Sequence, residues 1–145
     1  MTLHRDDDGT GELVAQVSAG GFAGISSAWF DLESIADFAR RIGEFPIDFS
    51  TPVELVGGFW DQARPGTLKQ THLSIRIYPV TPRGQIGARV VLATEVWPHT
   101  RAEECRHVET ELLTSYQAIA LFSASLIALT NEIRNEAVLS EDLLA

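Results

Sequence analysis

From Glu12 the chain alternates, with Leu13, Ala15 and Val17 on one side and Glu12, Val14, Gln16 and Ser18 on the other. A period of two marks a half-buried strand. Ala19-Gly20-Gly21 then reverses the chain, since glycine reaches the positive φ of a tight hairpin, and a second strand follows from Phe22 to Phe30. Asp31 stands where a helix N-cap is needed, with Glu33 in the first turn. The spacing of Leu32, Ile35, Ala39 and Ile42 predicts a one-stripe helix over Leu32–Gly43, with Phe38 at its margin and Pro46 barring continuation.

A loop and a short strand (Pro52 to Val56) come next, interrupted by Gly57-Gly58-Phe59-Trp60, where paired glycines indicate a bulge or a close backbone approach. The clearest hairpin follows. Leu73, Ile75 and Ile77 alternate with Ser74, Arg76 and Tyr78, and after Thr81-Pro82-Arg83-Gly84 a run from Ala88 to Glu95 alternates likewise. One more strand is predicted near Arg106 to Thr114, with Val108, Thr110 and Leu112 inward. The last element is a helix capped by Ser115, whose Tyr116, Ile119, Phe122, Leu126, Leu129 and Ile133 form one stripe. Leu121 and Ile127 lie off that stripe, so a second cover is expected. The acidic tail (residues 137–145, with Val138, Leu139, Leu143 and Leu144), the first helix, or a second subunit in a homodimer could each supply it.

These elements predict one α+β domain over residues 1–145: an antiparallel sheet of five to six strands with two helices on one face, the longer one C-terminal. Residues 1–11 show no periodicity and are expected to be a frayed terminus.

Composition narrows the function classes. With 145 residues, 45% hydrophobic and a single cysteine, disorder and a disulfide scaffold are excluded. The Asp6-Asp7-Asp8 start is unlike a secretory signal, and Ala118–Leu129 falls short of the ~18 residues that cross a bilayer, so a cytoplasmic protein without membrane contact is expected. Eleven bases against 20 acids leave a net charge of −9, which repels nucleic acid and favours approach of a basic protein.

Catalytic chemistry finds little footing. His99, Glu103, Glu104, Cys105 and His107 cluster, but no C-x-x-C or H-E-x-x-H spacing accompanies them, so no metal site and no cofactor are expected. The acids beside Cys105 disfavour a thiolate, and neither G-x-S-x-G nor a P-loop lysine is present. The interface candidates are Arg76, Tyr78, Arg89, Glu95 and Trp97, expected opposite the Leu73/Ile75/Ile77 side, together with Trp60. Ordinary cross-strand pairing is the bland account of the same residues.

Gly20-Gly21-Phe22-Ala23-Gly24, then Ser27-Ala28-Trp29-Phe30-Asp31-Leu32, then Phe38-Ala39-Arg40-Arg41-Ile42 resembles the opening of small bacterial proteins of the WapI type, with Trp60-Asp61 also fitting loosely. The resemblance spans residues 12–62 and implies an immunity protein that binds and neutralises a cognate toxin without catalysis. The alternative is a small-ligand-binding or hydrolytic α+β domain, with a pocket between sheet and helices lined by Trp29, Trp60 and Trp97.

Overall fold

The computed structural model describes residues 1–142. It is α+β, with seven strands in two antiparallel sheets and two helices. The three-stranded sheet contains β1 (Thr2–Arg5), β2 (Thr10–Ala19) and β3 (Phe22–Asp31) in that order. The four-stranded sheet contains β4 (Val53–Trp60), β5 (Leu68–Pro79), β6 (Gln85–Ala93) and β7 (His107–Ser115), each beside its sequence neighbour. Helix α1 (Leu32–Gly43) links the sheets and α2 (Tyr116–Thr130) follows β7.

Local chemistry explains most boundaries. Gly20 and Gly21 take φ of 58° and 85°, the two positive values of a two-residue hairpin turn. Helix α1 covers the predicted span, but Asp31 makes no side-chain cap bond; the Gly9 carbonyl accepts from the Leu32 N–H instead. Phe38, at the margin of the α1 stripe, is buried in the core as well. Ser115 caps α2 by accepting from the Ala118 N–H.

Three expectations are corrected. A single sheet of five to six strands is replaced by two sheets, because alternation marks a strand without naming its neighbour. The terminus is paired: Thr2–Arg5 runs against Gly11–Val14, with Asp8 accepting from the Thr10 N–H and hydroxyl to make the turn. Four residues around one leucine are too short for a period, and tertiary contacts hold them. Leu3 lies against Gly11, and the Arg5 guanidinium donates to the Thr130 carbonyl and meets Glu132 at 3.4 Å. Finally, α2 stops at Thr130, with Glu132 at φ 60°, so Ile133 leaves the stripe and is exposed.

The sheets meet at a crossing. Gly24 faces Val108 of β7, the Ser26 hydroxyl donates to the Ala93 carbonyl at the end of β6 (2.7 Å), and Ala28 and Phe30 face Gly57 of β4. Strand β3 therefore runs across the four-stranded sheet from one edge strand to the other, over the register row Gly57–Leu73–Leu92–Val108. Such transverse packing needs small residues where the backbones approach. The helices lie beside each other, α1 against β4 and α2 against β7 and β1. The Ser123 hydroxyl donates to the Ala39 carbonyl at 2.5 Å, so α1 packs against α2, but the expected second cover does not extend to the off-stripe residues: Leu121 stays 65% exposed and Ile127 half-buried.

Beyond α2 the described chain, as far as Asp142, forms a strap. Met1 and Ala137 exchange two backbone hydrogen bonds, Thr114 donates to the Ser140 carbonyl, and the Asp142 N–H donates to Leu113 of β7. Leu139 packs on the core, whereas Leu143 and Leu144 lie outside the described residues.

A Cβ on Gly57 would sit 2.5 Å from the Phe30 ring, and one on Gly24 2.5 Å from Val108. Gly57→Ala and Gly24→Ala are each expected to lower stability by about 1–3 kcal/mol through overpacking. Urea midpoints unchanged from the wild type would contradict the crossing.

Candidate functional site

Among the described residues, no helix lies on the face of the four-stranded sheet turned away from β3. Its central row reads Glu54, Arg76, Arg89, Glu111 across β4 to β7, and the next reads Val56, Ser74, Val91, Glu109. Arg89 Nε donates to Glu109 Oε1 at 2.9 Å, and the Tyr78 hydroxyl donates to Glu111. The Arg89 guanidinium, helped by His107, holds the Glu109 carboxyl below its ordinary range. The Tyr78 phenol is pushed up to about 12, first by burial and then by Glu111. That burial has a local cause. Gly87 is the cross-strand partner of Tyr78, and with no side chain there the ring lies directly against the β6 backbone.

Arg76, Tyr78 and Arg89 thus share one face, as the alternation required. The Arg89–Glu109 and Tyr78–Glu111 pairs are solvated and worth at most about 1 kcal/mol each, so they order the face more than they stabilise it. Glu95 and Trp97 are not on that face, because β6 ends at Ala93 and both sit in the connection to β7. Gln70 holds that connection, donating through Nε2 to the Val96 carbonyl (2.7 Å) and accepting from the Val96 N–H (3.0 Å).

Behind the connection lies a residue the pattern did not single out. Gly57 pairs with Leu73 but Gly58 pairs with Thr71, leaving His72 as the extra residue of a bulge, buried beside Leu73. A side chain at Gly58 would collide with the Gln70 carbonyl, which is why the paired glycines belong there. His72 is 2% exposed, with Nε2 2.9 Å from Gln70 Oε1. Phe59 meets its ring edge-on at 4.5 Å and touches Trp97 at 4.9 Å. Burial lowers the His72 pKa against a smaller opposing pull from Glu95.

The tryptophans divide. Trp29 and Trp60 line one groove of ≈ 520 Å³ between β3, β4 and α1, while Trp97 belongs to the Phe59–His72 cluster. A second cavity of ≈ 410 Å³ lies under the C-terminal strap, floored by Ile75, Val90, Leu112 and Phe122, and no tryptophan lines it. In the His99–Glu111 stretch, Cys105 is exposed with Sγ 3.7 Å from the Arg101 carbonyl, Glu104 pairs with Arg101, and His107 leans on Glu109. Among the described residues no three His, Cys, Asp or Glu side chains gather as a metal site would require. No helix among them is long and apolar enough to cross a membrane.

Compared with protein-family models, with curated proteins and with solved structures, the chain gives no match.

His72 supplies a pH test. With its folded pKa below the unfolded 6.5, the unfolded chain takes up the proton first. The His72 contribution is complete above that pH and is lost as pH falls, with a slope of at most about 1.4 kcal/mol per pH unit. Between pH 7.5 and 5, above the range where carboxylates titrate, the urea midpoint of wild type is expected to fall more than that of His72→Gln. Equal falls would contradict a buried neutral imidazole.

Proposed function

We propose that the chain is a non-enzymatic protein-binding domain of the immunity type, which docks on a basic cognate toxin in the cytoplasm and blocks it. The observation that carries this reading is the helix-free sheet face, where Arg76, Tyr78 and Arg89 stand together and the Tyr78 ring lies against the β6 backbone at Gly87. A sheet face of this kind is a rigid platform, and Arg and Tyr are the residues that most often anchor protein interfaces. Trp60, at the end of the edge strand β4, is 53% exposed and borders the same platform. The net charge of −9 would raise the encounter rate with a basic partner and make it salt-dependent. The WapI-like opening adds the toxin as the kind of partner, and its GGF hairpin and FA helix are elements β2–β3 and α1 here.

The test is co-purification with the products of neighbouring toxin genes. A complex that weakens with added salt is expected, and Tyr78→Ala or Arg76→Ala should reduce its affinity by about tenfold, equivalent to about 1.4 kcal/mol. Failure to capture any neighbouring product would overturn the immunity reading. A complex indifferent to both substitutions would move the interface off this face.

A further inference from the structure

We propose that the groove between Trp29 and Trp60 receives a guanidinium or ammonium group from a basic protein segment, held between the indoles and the carboxylates of Asp31 and Glu54. This deepens the docking reading above, and rests on it for the claim that the cation belongs to a protein.

The two tryptophans come from different sheets, yet both are left half in solvent, 55% and 53% exposed, on the walls of one groove. Large aromatic rings left this open are characteristic of recognition sites. Charge then selects the occupant. The ionisable side chains lining the groove are Asp31, Asp37, Glu54 and Arg41. The Arg41 guanidinium is already engaged, donating to the Thr51 carbonyl and hydroxyl and to the Pro52 carbonyl. Asp37 is paired with Arg40 on the same helix. Asp31 makes no cap bond to α1, and among the described residues neither it nor Glu54 forms an ion pair. Glu54 stands across the strand pair from Arg76 without forming an ion pair, and two carboxylates left in this way beside two exposed tryptophans complement a cation in both charge and quadrupole. The positive end of the α1 dipole does not reverse this preference, because Asp31 and Glu33 stand at it. Nucleic acid, the other large charged partner, is repelled by the same field.

The experiment titrates a deca-arginine peptide into the full chain and follows heat and tryptophan fluorescence. Binding is expected, with Trp29→Ala and Trp60→Ala each weakening it about fivefold or more and Trp60→Phe recovering most of the loss. Trp97→Ala, outside the groove, should leave it unchanged. All three side chains are about half exposed, and circular dichroism confirms that the variants fold. Absence of binding, or an equal loss for Trp97→Ala, would overturn the proposal. Peptide binding through Trp29 and Trp60 without capture of a toxin would uphold the groove and reject the immunity reading. A captured toxin indifferent to both tryptophans, together with a peptide equally indifferent, would do the reverse.

Discussion

The close approach of β3 to the four-stranded sheet is the constraint on which the rest of this molecule depends. A strand laid across four others at backbone distance leaves no room for ordinary side chains, and Gly24, Ser26, Ala28 and Gly57 meet that demand from both sides. Once β3 is seated, alternation dictates its opposite face. Ala28 and Phe30 point inward, so Trp29 between them points outward, at the end of β3 where it passes β4. The groove shared with Trp60 is thus shaped by the seating of β3 on the four-stranded sheet. Strand β1, by contrast, pairs with β2 only as far as Val14, and the strap from Ala137 to Asp142 spans the opening left at that side.

The polar features follow a similar division between order and stability. On the sheet face, hydrogen bonds join Arg89 to Glu109 and Tyr78 to Glu111, but three of these side chains are exposed and Tyr78 is half-buried, so the pairing adds little to the folding free energy. What the pairing does is hold the side chains of β5, β6 and β7 in one arrangement, which under the proposed docking would lower the entropy lost on binding. His72 is the inverse case. It is removed from water by a bulge, held by Gln70, and tied through Phe59 to Trp97. Its contacts therefore run to the 94–106 connection and not to the exposed face.

Much of this was legible in the chain itself. The span of α1, both hairpin turns, the inward Val108, Thr110 and Leu112, and the shared face of Arg76, Tyr78 and Arg89 all follow from periods of two and 3.6 read against glycine and proline. Glu95 and Trp97 were misplaced because alternation in the residues continues past Ala93, where the ladder does not. Gly57-Gly58 announced an irregularity, but only the pairing with β5 shows that it buries His72.

By itself, then, the amino-acid order determined six of the seven strands, both helices, and which side of most of them is apolar. Those are properties of nearest neighbours along a backbone with a short repeat. The tertiary structure alone decided that the strands divide into two sheets, that Thr2–Arg5 is one of them, that α1 packs against α2, and that Trp29 meets Trp60 while Trp97 does not. These facts depend on hydrogen-bond partners and contacts between residues far apart in the chain, for which local periodicity carries no signal.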